Sequence, residues 1–223
     1  MHIVLIGGLW LTPSAWDAVA PELNALGHTP VPVALPGQGD GATTATLDDQ
    51  VAAVLAAVDA APGEVVVVGH SAACSLAWLA TDARPGKVAS VVFIGGFPEE
   101  DGAKYADFFE PIDGLMEFPG WEKFEGSDSE DLDEELKAGF LADAVGVPVG
   151  VTRGVVHLRD ERRYAVPAVL VCPEFSPAQA QEWIDGGDTP ELAKVESLEL
   201  VDIDSGHWPM FTQPKALAAL LAP

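Results

Sequence analysis

A chain of 223 residues has room for one ordinary hydrophobic core, in which roughly 70% of the unfolded surface is buried, and not for two catalytic domains. With 48% apolar residues it is too hydrophobic for a disordered chain, and 35 acidic against 11 basic residues leave a net charge of −24. Such a surface repels phosphate backbones and anionic lipid, which excludes nucleic acid and a polybasic membrane contact as partners. Two cysteines, Cys74 and Cys172, make no disulfide framework and no CxxC pair, so a reducing compartment is expected. Met1 to Gly8 has no basic region and an apolar run too short for a signal peptide, and no apolar stretch approaches the roughly 18 residues that span a membrane. The expectation is cytoplasmic.

Along the chain, short β-branched runs alternate with longer amphipathic segments. Ile3 to Ile6, closed by Gly7-Gly8, reads as a strand buried on both faces. Trp16, Val19, Leu23 and Leu26 recur at helical spacing between Ser14 and Gly27, which predicts one helix. Val31 to Leu35 reads as the next strand, and Leu47, Val51, Val54, Leu55 and Val58 form a helical stripe capped by Thr46. Strand Val65 to Val68, helix Ser71 to Leu79 and strand Val88 to Ile94 continue the alternation. It resumes later with strand Ala168 to Val171, a helix over Gln179 to Ile184, strand Leu198 to Ile203 and a closing helix over Lys215 to Leu221. Strands separated by helices imply right-handed parallel crossovers, hence an α/β fold: a three-layer α/β/α sandwich around a mostly parallel sheet of about six strands, one domain over 1–223.

From Pro98 to Lys137 the pattern breaks. Fifteen acids stand against three lysines, so half of the net charge lies here, interleaved with Tyr105, Phe108, Phe109, Phe118, Trp121 and Phe124. A linker would not carry six aromatics that need burial, so 97–140 is read as an inserted set of short helices; a lid over a pocket and an acidic solvated flap are both open.

Gly69-His70-Ser71-Ala72-Ala73 follows a strand directly and opens a helix. Small residues around the serine permit the strained turn that lifts its hydroxyl above a sheet, the context of a nucleophile elbow, although Ala73 stands where Gly is usual. A serine needs a base to become nucleophilic. His2 and His28 precede strands, His70 is inside the elbow, and His157 lies in an arginine-rich stretch. His207, in Asp204-Ser205-Gly206-His207-Trp208-Pro209, follows the last strand and lies at the sheet end where ligands bind in such folds.

These motifs resemble the α/β-hydrolase family over essentially the whole chain. Ile3 to Trp10 is similar to its strand and oxyanion loop, Pro36-Gly37-Gln38-Gly39-Asp40 to its P-G-x-G-x loop, Gly69 to Ala73 to its elbow, and Gly206-His207 to its terminal Gly-His. The resemblance implies that Ser71 attacks a carbonyl, that His207 relays its proton, and that the backbone N–H groups of Ala72 and Leu9 hold the oxyanion, with Trp10 as the alternative second donor. Gly7-Gly8 replaces the His-Gly of many members and leaves more open space beside the serine. Trp10, His70 and Trp208 become candidate substrate contacts, simple packing being an equal reading of Trp208.

The family's acid usually sits in a loop after the strand corresponding to Ala168 to Val171. That loop here reads Cys172-Pro173-Glu174-Phe175-Ser176, with Ser176 at the usual Asp position, so Glu174 is the candidate acid. Glu99, Glu100 and Asp101, after an earlier strand, are the competitors, and Asp204 reads as a loop-capping residue. Arg153, Arg159, Arg162 and Arg163 are expected to pair with the acidic insertion and hold it down, substrate-carboxylate binding being the alternative; Cys74 reads as core. The implied function is a serine hydrolase acting through an acyl-enzyme on a small neutral ester or lactone, with no metal and no cofactor, as a monomer or homodimer whose partner is the substrate. C–C bond hydrolysis, a cofactor-free peroxidase-like reaction and a non-catalytic small-molecule receptor are the alternatives, because one fold hosts many reactions.

Overall fold

The computed structural model describes residues 1–222. In chain order it has β1 (His2–Ile6), α1 (Val19–Ala25), β2 (Thr29–Pro32), α2 (Leu47–Ala60), β3 (Val65–His70), α3 (Ala73–Ala83) and β4 (Val88–Ile94). Between β4 and the next strand of the main sheet come β5 (Leu115–Met116), α4 (Glu134–Asp143), β6 (Val147–Pro148) and α5 (Val149–Thr152). The chain closes with β7 (Ala168–Cys172), α6 (Pro177–Gly186), β8 (Leu198–Asp202), α7 (Pro209–Thr212) and α8 (Pro214–Leu221).

Six strands form one sheet in the order β2-β1-β3-β4-β7-β8, every neighbouring pair parallel. Helix α1 packs on α8 and α2 on α3, giving the layers that parallel crossovers require. Ile3 to Ile6 and all six residues of β3 are buried, so the centre of the sheet is apolar on both faces. The prolines fall at the sheet edge. Pro30 and Pro32 lie in β2, where a missing N–H interrupts no inner ladder, and this shifts the strand ahead of the expected Val31 to Leu35.

The first helix departs from its expected course. Instead of one helix from Ser14 there is a single turn, Pro13–Trp16, and then α1. Pro21 is the reason: it fits the first turn of α1, where N–H groups lack partners anyway, but inside a longer helix its ring would clash with the preceding turn. Thr46 caps α2 with a reciprocal capping box to Asp49, as its sequence predicts.

The arginines are divided differently from expectation. Among the described residues only Arg153 of the four reaches the insertion, pairing with Asp107 at 2.7 Å and Glu110 at 3.0 Å. Arg162 pairs locally with Asp160, and Arg159 offers only its backbone N–H, to Asp82. Arg163 is buried between Asp82 and Glu191 at 3.1 and 3.0 Å, and Glu191 also accepts the Trp78 indole N–H. Removing the cation from such a pair leaves buried carboxylates uncompensated. Arg163→Ala is expected to lower unfolding free energy by about 3–5 kcal/mol in a urea titration, whereas Arg153→Ala, on an exposed pair, should leave the midpoint in place.

Candidate active site

The elbow is built where β3 turns into α3. Ser71 holds a left-handed backbone conformation, φ 54°, rare for a residue with a side chain, and its N–H donates to Ile94 O at 2.8 Å. Gly69 makes the turn possible: a Cβ there would lie 2.3 Å from the Ala73 carbonyl oxygen. Helix α3 accordingly begins at Ala73 and not at Ser71, and Ala73 itself is fully buried in the place where glycine is usual.

Parallel, in-register β7 and β8 bring the other two side chains together. Cys172 pairs with Asp202, so the loops carrying Glu174 and His207 leave the sheet side by side. Glu174 Oε1 lies 2.6 Å from Nδ1 of His207. The carboxylate accepts from Nδ1–H, which fixes the tautomer with Nε2 unprotonated and free to act as a base. Gly95, φ 56°, ends β4 against this pair; a Cβ there would stand 3.2 Å from both Glu174 Oε2 and His207 Nδ1.

The competing acids lie elsewhere. The Glu99 backbone N–H donates to Ser75 Oγ, Glu100 is exposed, and Asp101 accepts the Leu158 N–H and sits 3.8 Å from His157. Ser176, at the family's usual acid position, caps α6 with Gln179. Ser71 and His207 line one cavity, but among the described residues no hydrogen bond joins them. Such contacts commonly tighten only around a bound substrate.

No hydrogen-bond acceptor meets the backbone N–H of Leu9, Trp10 or Ala72 among the described residues, which leaves these donors available beside Ser71. Their loop is held by a side chain that the sequence did not single out for this task. Buried Gln38, in the Pro36 to Asp40 turn, donates to Gly8 O at 3.0 Å and Leu11 O at 2.8 Å, and Gln50 donates in turn to Gln38 Oε1.

His70 is 1% exposed, and its Nε2–H donates to the His207 carbonyl at 2.8 Å. Burial, with the neighbouring His207 adding to it, lowers its pKa to about 3, so the ring stays neutral. Its ring borders the cavity, but this nitrogen holds the histidine loop and is not free for substrate. The same loop is clamped by the insertion: Asp128 O accepts the His207 N–H at 2.8 Å, and the Asp131 carboxylate accepts the Gly206 N–H at 2.8 Å and the Ser205 hydroxyl at 3.1 Å. Asp204, expected to cap this loop, is exposed and makes no such bond; Asp131 does that work across 75 residues of sequence.

The insertion lies over the serine. Phe108, Phe109 and Phe124 close a cavity of about 220 Å³ whose other walls include Leu9, Trp10 and Trp208. Trp10 anchors it, its indole N–H donating to Met116 O at 3.0 Å and its ring meeting Phe118 edge-on. Trp208, 2% exposed, stands edge-on to the His207 ring. No cluster of metal-ligating side chains occurs among the described residues, and no helix among them is long and apolar enough to cross a membrane.

Three comparisons agree with this architecture. Residues 3–220 match the family model described as "Alpha/beta hydrolase family". Methylesterase 7 of Arabidopsis thaliana is 26% identical over 98% of this chain and 94% of its own length. Among solved structures, an extracellular α/β-hydrolase from a Paenibacillus species superposes with a TM-score of 0.77 at 20% identity, covering 99% of this chain and 97% of that one. The Arabidopsis methylesterase MES16 gives 0.76 at 18% identity with the same coverages.

A short Nδ1–H···carboxylate bond should give His207 a strongly downfield proton resonance in water, absent in Glu174→Gln. A fluorophosphonate probe is expected to label the protein once, at Ser71, and to leave Ser71→Ala unmodified; labelling that persists in Ser71→Ala would place the reactive nucleophile elsewhere.

Proposed function

The chain belongs to the alpha/beta hydrolase family, and we propose that it is a carboxylic ester hydrolase working through Ser71, His207 and Glu174 and an acyl-enzyme intermediate. The observation that carries the proposal is the Glu174–His207 contact at 2.6 Å, beside a serine held in a strained turn and bordered by unpaired backbone donors.

In the proposed reaction Ser71 Oγ attacks the ester carbonyl carbon while His207 Nε2 takes its proton. The carbonyl oxygen becomes an oxyanion, for which the N–H groups of Ala72 and Leu9 are the proposed donors. Glu174 stabilises the imidazolium, and His207 then protonates the departing alkoxide, leaving Ser71 acylated. Water repeats the sequence, with His207 as its base, and releases the acid. A complete nucleophile, base and acid supports turnover over the receptor alternative. The names of the relatives, methylesterases and an esterase of polyneuridine aldehyde among them, support ester over C–C bond or peroxidase-like chemistry. The aromatic cavity of about 220 Å³ suits one small apolar arm of the substrate.

With a short-chain p-nitrophenyl ester, Ser71→Ala and His207→Ala are each expected to lower kcat on the order of 10⁶-fold. Glu174→Gln should lower it roughly 10⁴-fold, by permitting the wrong tautomer. Near-normal turnover in any of the three, measured on folded protein, would contradict the assignment.

A further inference from the structure

Ser71 borders a second cavity, about 650 Å³, beside the aromatic one of about 220 Å³. Among the described residues the two share Ser71 and Phe108 in their linings and nothing else. A side chain that borders two voids is the wall between them, so Phe108 is the partition that meets both cavities at the serine.

A lone exposed phenylalanine is ordinary; the place of this one is not. Its neighbour Phe109 packs against the core and meets Trp10 and Phe124 at 6.0 and 6.3 Å, whereas Phe108 stays 56% exposed. The chain leading to it is fixed. Tyr105 and Ala106, both buried, donate their N–H groups to Gly154 O and Thr152 O at 2.9 Å, and Asp107 pairs with Arg153 at 2.7 Å. The Phe108 ring is thus held at the border of both cavities by its backbone, not by burial of its own surface.

We infer that Phe108 is a specificity-determining residue: it separates the two arms of the substrate and sets the length limit of the arm that enters the smaller cavity. The inference rests on the ester-hydrolase reading, in which the carbonyl carbon under attack lies at Ser71 Oγ. Acyl chain and alkoxy oxygen leave that carbon in different directions, and Ser71 lies where the two cavities meet, so each cavity receives one arm. The other rings of the smaller cavity brace one another, Trp10 against Phe124 at 5.9 Å and Phe124 against Trp208 at 5.3 Å, and packed rings give way little. Phe108 differs in having the larger cavity on its far side. Truncating it joins the two cavities, and enlarging it narrows them.

Two ester series test this: alkyl phenylacetates from methyl to octyl lengthen the alcohol arm, and p-nitrophenyl esters from ethanoate to decanoate lengthen the acyl arm. In the wild type at least one series should fall in kcat/KM on the order of tenfold per methylene past the length that fits. Phe108→Ala, folded and with its urea midpoint in place, should raise the ratio of longest to shortest ester in that series by roughly tenfold or more, and Phe108→Trp should lower it. No fall in either series for the wild type, or the wild-type ratio in Phe108→Ala, would overturn the partition. If no ester of either series is cleaved, the ester-hydrolase reading falls separately. Binding of n-alkanols of rising length, followed by tryptophan fluorescence because Trp10 and Trp208 line the smaller cavity, then decides the partition alone. A longer limit in Phe108→Ala than in the wild type supports it, and the same limit, or no binding, overturns it.

Discussion

The contact between Glu174 and His207 is the constraint on which the site depends. One carboxylate and one imidazole join loops from neighbouring parallel strands, and the 2.6 Å separation requires the ends of β7 and β8 to stay in register. The histidine is restrained from other directions as well. His70 holds its carbonyl, Asp128 accepts its N–H, and Asp131 ties down the preceding Gly206. In the proposed mechanism a ring fixed this way loses little entropy when substrate arrives, which is how proximity and orientation contribute to rate.

The acidic insertion links this positioning to charge. Carrying half of the net charge, it both clamps the histidine loop and roofs the serine with Phe108, Phe109 and Phe124. In the proposed mechanism positive charge develops on His207, so a negative surrounding stabilises the transition state. Ser71 borders two cavities, one closed by Phe108, Phe109 and Phe124 and one with Glu99, Glu100 and Asp128 among its walls.

Much of this was legible in the sequence because it is local. The elbow is five consecutive residues after a valine run, and the alternation of apolar strands with helices of 3.6-residue period carries the sheet. Glu174 could be named because it is the single carboxylate in its loop, two positions ahead of the usual acid; Ser176, at the usual position, instead caps α6. The clamp was not legible. Asp131 is one acid among fifteen in its stretch and meets Gly206 only through folding. Gln38 is likewise a polar residue in a turn until the structure buries it against the Gly8 and Leu11 carbonyls. Arginine partners failed for a related reason: charge counts along a chain do not specify which carboxylate a folded guanidinium reaches. Pro21 was visible in the sequence, but the spacing of Trp16, Val19, Leu23 and Leu26 masked the break it imposes.

The central claim is covalent chemistry at Ser71, and trapping the intermediate tests it most directly. Protein mixed with excess short-chain p-nitrophenyl ester, quenched in acid during turnover and weighed intact, should gain one acyl group, mapped by peptide fragmentation to Ser71. An adduct at another residue, or steady hydrolysis by Ser71→Ala with no adduct at all, would contradict the account.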